Sequence, residues 1–192
     1  MLTAVRTAAP LVGPISLEEV RAHLRIDQSE EDPTLQIYID AATGYLEGPN
    51  GILGRLLATQ SWLQPYPLFT DPLLLPLELQ PVQSVIALNY WDASGVQRLM
   101  SDTLYRLVQA EAGPRVERTT ADPWPATAVR DDAVSLEFVA GEIAVTTPIR
   151  QAMLLMVGHW YANREAVAAG GMAELPLAVT SLLINQARIR WG

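Results

Sequence analysis

The helix read from Ile149 to Tyr161 constrains this chain more than any other segment, because it has almost no polar side. Thr147-Pro148 opens it, with a capping threonine ahead of a proline in the first turn. Only Arg150, Gln151 and His159 interrupt the apolar run before it stops at Ala162-Asn163-Arg164-Glu165-Ala166-Val167. A helix that is apolar nearly all round must be covered nearly all round. The run falls short of the roughly 20 residues that span a bilayer, so no membrane role is expected and the cover is protein. The abrupt polar and aromatic end points to packing against further copies of the chain rather than to catalysis.

The bulk composition fits a folded, acidic protein. Hydrophobic residues make up 49% and charged residues 18% of the 192, which excludes disorder and allows one domain or two small lobes. The net charge is −8, and all 13 basic residues are arginine. Such a balance argues against a surface that grips nucleic acid by neutralising phosphates, but not against one past which DNA slides. Cysteine is absent, which removes disulfides, thiolate metal sites and cysteine nucleophiles together. The N-terminus lacks the basic start and apolar core of a signal peptide, so a soluble protein made in the cytoplasm is expected.

Helical signals flank a β-rich middle. Residues 1–15 read as a loose arm, broken by Pro10, Gly13 and Pro14. Ser16-Leu17-Glu18-Glu19 forms a capping box for a short helix running to about Ile26. Asp32-Pro33 opens a second helix, with aspartate as N-cap and Leu35, Ile39, Ala42 and Leu46 as its buried stripe. From Thr59 to Gly141 short β-type runs alternate with proline and glycine. The clearest are Val82–Trp91 and Ala133–Val139, the latter with Val134, Leu136 and Phe138 on one face against Ser135 and Glu137. After the long apolar helix, Leu175-Pro176 starts a last one that carries Val179, Leu182, Leu183 and Gln186 on one face. The expected fold is α+β: a helical bundle built from N- and C-terminal helices, with an inserted antiparallel β lobe. The expected divisions are 1–58 (arm and helices), 59–146 (β lobe) and 147–192 (helices completing the bundle).

Catalytic chemistry finds little support. No G-x-S-x-G turn is present, and only His23 and His159 could act as imidazole bases. His159 lies inside the apolar helix and reads as a structural, hydrogen-bonded residue; His23 falls on a polar face. The paired carboxylates Glu18-Glu19, Glu30-Glu31 and Asp131-Asp132 read as helix starts or loop residues, since acid–base work needs a cleft. Asp27 to Asp32 lacks the glycine and terminal glutamate of a calcium loop. Gly51-Ile52-Leu53-Gly54-Arg55 follows a helix rather than a strand and reads as a turn, not a phosphate cradle. No catalytic residue, metal site or cofactor is expected.

Two clusters remain. Trp160, Tyr161, Arg164 and Glu165 read either as a helix end with aromatic packing or as a subunit interface, where tryptophan, tyrosine and arginine concentrate. The tail residues Arg188, Arg190 and Trp191 have a composition suited to docking on a partner.

The order of segments resembles the head–tail connector (adaptor) proteins of tailed bacteriophages and phage-like gene transfer agents. The residues carrying it begin with Ile15-Ser16-Leu17-Glu18-Glu19-Val20-Arg21-Ala22-His23-Leu24-Arg25 and Gly51–Arg55 leading to Thr59-Gln60-Ser61-Trp62. They continue with Pro81-Val82-Gln83-Ser84-Val85, Trp124-Pro125-Ala126-Thr127, Phe138-Val139-Ala140-Gly141, Pro148-Ile149-Arg150-Gln151-Ala152 and His159–Val167. The similarity spans nearly the whole chain; each motif alone is weak, and their joint order is the specific part. One departure is the short path from Gly141 to Thr146, where family members often carry a longer loop.

The resemblance implies a non-enzymatic ring of about twelve subunits in the particle neck, between the portal protein and the next neck (stopper) protein. Such a ring continues the DNA channel without sequence-specific binding, and its C-terminal segment docks on the portal. Trp160, Tyr161, Arg164 and Glu165 would then hold neighbouring subunits, and Arg188, Arg190 and Trp191 would contact the portal. Two other readings stay open: a small hydrolase-like enzyme with its site in the β lobe, and an internal scaffold lost on maturation.

Overall fold

The structure, a computed structural model, describes residues 3–48, 50–69, 71, 74–164, 176–184 and 186. The fold is α+β, with antiparallel sheets. The chain divides into two compact units, Met1–Leu11 with Thr59–Glu142 and Val12–Ala58 with Ile143–Gly192.

The first unit is built of β-strands, with one 3-10 turn at Asp102–Leu104. Its strands are β1 (Val5–Ala8), β2 (Gln60–Tyr66), β3 (Leu74–Pro76), β4 (Val82–Trp91), β5 (Gln97–Leu99), β6 (Tyr105–Ala110), β7 (Gly113–Arg118) and β8 (Val134–Ala140). One antiparallel sheet runs in the order β1-β2-β8-β4-β5, and a second in the order β3-β7-β6. In place of the loose arm expected for residues 1–15, Val5–Ala8 pairs with β2, Val5 standing opposite Leu63. No side chain of β1 is buried, so the alternation that betrays a half-buried strand is missing from its sequence.

β8 is the centre of the larger sheet. Val134, Leu136, Phe138 and Ala140 are buried while the residues between them are not, the period of two read from the sequence. Phe138 stands between Trp62 of β2 and Val85 of β4. Pro65 lies in β2 opposite Ser135, beyond the stretch of β2 that β1 covers, so its missing N–H interrupts no ladder on that edge.

Tyr66 joins the two sheets. It is fully buried, and its hydroxyl donates to the Pro76 carbonyl at 2.6 Å. Burial, with a smaller contribution from Glu78, pushes its phenol well above the ordinary value near 10. The folded state therefore holds the neutral phenol more tightly than the unfolded chain does. That contribution is complete below about pH 10 and is lost as the pH rises past it. Thermal melts should show an alkaline loss of stability that Tyr66→Phe removes, at the cost of a lower midpoint at neutral pH.

The second unit is helical: α1 (Leu17–Leu24), α2 (Asp32–Leu46), α3 (Thr147–Ala162) and α4 (Leu177–Leu183) among the described residues. The capping box forms as read, Glu19 N–H donating to Ser16 Oγ at 3.1 Å and Ser16 N–H to Glu19 Oε2 at 2.8 Å. Two caps differ from expectation by one residue. Glu31 rather than Asp32 is the N-cap of α2, and Thr146 rather than Thr147 that of α3. Arg21 grips the Asp32 carboxylate with two hydrogen bonds, and the Thr146 side chain caps no backbone N–H, its hydroxyl donating instead to Gln186 Oε1 at 3.0 Å.

α3 is the common element, packing against α1, α2 and α4, whereas α2 and α4 share no comparable contact. Ile149, Ala152, Met153, Met156, Val157 and Trp160 of α3 are buried, in one core with Leu35, Ile39, Ala42 and Leu46 of α2 and Val179 and Leu183 of α4. The cover is not complete. Leu154, Leu155 and Tyr161 are only partly buried within the single chain.

Candidate subunit interface

The polar end of α3 has two layers. The first is a helix cap. The backbone N–H of Asn163 reaches the carbonyls of His159 and Trp160, its side-chain amide donates to His159 O at 2.8 Å, and Arg164 Nε donates to Tyr161 O at 3.3 Å. Three last-turn carbonyls that a helix leaves open are thereby satisfied. The second layer is a clasp. Arg164 Nη2 donates to Glu31 Oε2 at 2.9 Å, and the guanidinium carbon lies 4.2 Å from the centre of the Tyr161 ring. The hydrogen bond to Glu31 raises the pKa of Arg164 further. A cation at the end of α3 and an anion at the start of α2 also suit both helix dipoles.

The four residues singled out in the sequence thus divide. Trp160 is 8% exposed and belongs to the subunit core, its ring 6.3 Å from that of Tyr38. Tyr161 is half-buried and Arg164 exposed. Glu165 lies outside the described residues, as do Arg188, Arg190 and Trp191. His159 is half-buried, with Nδ1 3.4 Å from the Asn163 amide, and its buried Nε2 has no hydrogen-bond partner among the described residues. Glu31, the partner of Arg164, was not singled out. It is 133 residues away, and its only sequence signal was membership of the Glu30-Glu31 pair.

One member of each other carboxylate pair has a structural partner too. Glu19 binds Arg150 at 2.9 Å as well as completing the capping box, and Asp132 binds Arg130. Among the described residues no group of three or more histidines or carboxylates could hold a metal ion. Among the described residues no helix is long and apolar enough to cross a membrane.

These contacts all lie within one chain, and comparison with known proteins shows the class it resembles. Residues 14–98, from α1 into β5, match the model of the family described as phage gp6-like head-tail connector protein. Over that span the chain is similar to the head–tail connectors, the family whose motif order it resembles. A chain of the native gene transfer agent virion superposes with a TM-score of 0.77 at 25% identity, over 99% of this chain and 97% of that one. A chain in the neck of the empty particle, computed with C6 symmetry, gives 0.77 at 24% identity with the same coverage. One in the neck of the native particle, computed with C12 symmetry, gives 0.71 at 22%, again over 99% and 97%. No curated protein matches the chain.

Proposed function

We propose that the protein is a structural head–tail connector subunit that forms a ring under the portal, continues the DNA channel and joins head to tail. The observation that carries this reading is the end-to-end correspondence with gene transfer agent chains, 99% of this chain against 97% of theirs, at the same place where the connector family matches. The protein acts by assembly and not as an enzyme. About twelve copies would close the ring, with the portal on one side and the next neck protein on the other. Such a ring carries a formal charge on the order of −96, a field that favours DNA sliding over sticking.

Ring closure needs heterologous contacts, one face of a subunit meeting a different face of the next. Trp160, Tyr161, Arg164 and Glu165 form the join in our reading, with Trp160 bracing it from the core. The Arg164–Glu31 pair is exposed, so it adds little to stability. Arg164→Ala should accordingly lower the ring fraction severalfold while the thermal midpoint moves by no more than about 2 °C. Unchanged assembly would take these residues out of the interface. Arg188, Arg190 and Trp191 form the portal contact, and removing residues 188–192 should yield tailless, DNA-leaking particles; normal necks would exclude that role.

Electron microscopy of the purified chain mixed with portal tests the reading as a whole. Annular particles with a central hole are the expected result. A persistent monomer that turns over a substrate would favour a hydrolase-like enzyme instead. Absence from finished particles by mass spectrometry would favour an internal scaffold.

A further inference from the structure

The charges of the helical unit are unevenly spread. Arg21–Asp32, Arg150–Glu19 and Arg164–Glu31 tie α1, the start of α2 and α3 together. Two outward helix faces carry almost none. On α2 the exposed residues include Gln36, Ile37, Asp40, Ala41 and Gly44, so Asp40 is the one charge on the exposed side of a helix about 22 Å long. Gln36 already donates to that carboxylate at 2.9 Å. On α4 no residue from Pro176 to Ile184 is charged. Large apolar side chains stand out on both faces: Ile37 is 65%, Leu177 87% and Ile184 70% exposed. A water-facing helix surface is ordinarily charged or polar, and loss of charge with retained apolar side chains is the mark of an interface centre.

The two faces belong to different helices. α2 and α4 each pack on α3 and share no comparable contact with each other. Two distinct uncharged faces on one subunit are what a closed head-to-tail ring requires, whereas a two-fold dimer needs only one. The α2 face also starts beside Glu31, the N-cap that Arg164 clasps, so the polar join borders the apolar strip as a rim borders a core.

We propose that the occupant of the α2 face is the α4 face of a second copy, with Ile37 and Ala41 of one subunit meeting Leu177 and Ile184 of the next. This rests on the ring reading above and supplies its contact surface.

A charge swap in whole particles tests it. Ile37→Glu and Ile184→Arg, each alone, put a charge into the centre of every junction and should cut the ring fraction at least tenfold. The double variant sets glutamate against arginine at every junction and should restore most of it. Both positions are exposed in the single chain, so circular dichroism should report a native fold throughout. Should either variant misfold, the cysteine-free sequence offers a second measurement. Oxidised Ile37→Cys/Ile184→Cys particles should give a ladder of covalent oligomers, and each single cysteine variant none. Intact rings in both single-charge variants, failure of the double to recover, or particles with rings but no ladder would each overturn the α2–α4 contact while leaving the connector function standing. Wild-type particles without rings would instead overturn the function on which it depends.

Discussion

Phe138→Ala is expected to cost about 3–5 kcal/mol, one of the two largest stability losses of any single change considered for this protein. Phe138 is fully buried in the middle of β8, the strand flanked on both sides within the larger sheet. Its neighbours across the ladder, Trp62 and Val85, belong to different strands, so the cavity left by the ring would open on the buried face of a sheet whose three strands are held in register. Collapse into that space would require strands to shift, and a one-residue slip would turn the whole buried face of β8 outward. Hydrogen exchange should register the loss in β2, β4 and β8. Glu137→Ala, on the opposite face of the same strand, should leave it nearly unchanged. Equal effects at the two positions would mean that the alternation along β8 does not define the core.

What the sequence disclosed follows from which forces act locally. β8 and the α2 stripe were legible because burial imposes a period, two along a strand and 3.6 along a helix, and both survive in the order of residues. The Ser16–Glu19 box was legible because donor and acceptor lie three residues apart. Long-range choices were not. The Asp32 carboxylate can bond a backbone N–H of its own helix or Arg21, and only the folded geometry decides for Arg21. In the same way Arg164 offered an interface charge, while the fold gives it Glu31 within its own subunit. β1 left no trace at all, because a strand held by backbone pairing alone needs no particular side chains.

The connector role asks for a subunit that is rigid inside and selective outside. Among the described residues three ion pairs join the helices of the helical unit to one another, and the two exposed ones, Arg150–Glu19 and Arg164–Glu31, contribute orientation more than stability. Burial supplies the stability, through α3 and the helices around it. The polar end of α3 then does two things with few atoms: it closes the helix and fixes where α2 begins. A neighbour that reads the start of α2 therefore meets a surface set by the core.

Gly51→Ala should destabilise the helical unit by about 2–3 kcal/mol, the upper part of the range for forced overpacking. A methyl group at this position would sit 2.2 Å from the Glu47 carbonyl oxygen and 2.6 Å from the carbonyl carbon of Leu46. Both obstacles are backbone of α2 or of its cap, so no side-chain rotation relieves the overlap. The chain approaches this closely for a reason: Ile52 N–H donates to Tyr45 O and Leu53 N–H to Leu46 O, closing carbonyls at the helix end, and Leu53, Leu56 and Leu57 follow into buried positions. The Gly51–Arg55 segment that carried part of the family resemblance is thus a stop for α2 and an anchor for the next turn. Gly44→Ala supplies the internal comparison. There a methyl group would meet nothing within 4 Å, and replacing a mid-helix glycine by alanine should stabilise by about 0.5–1 kcal/mol. Opposite signs for one chemical change, within eight residues, are the expected result in urea titrations of the two variants. Equal signs would show that close approach at Gly51 does not limit the packing of this turn.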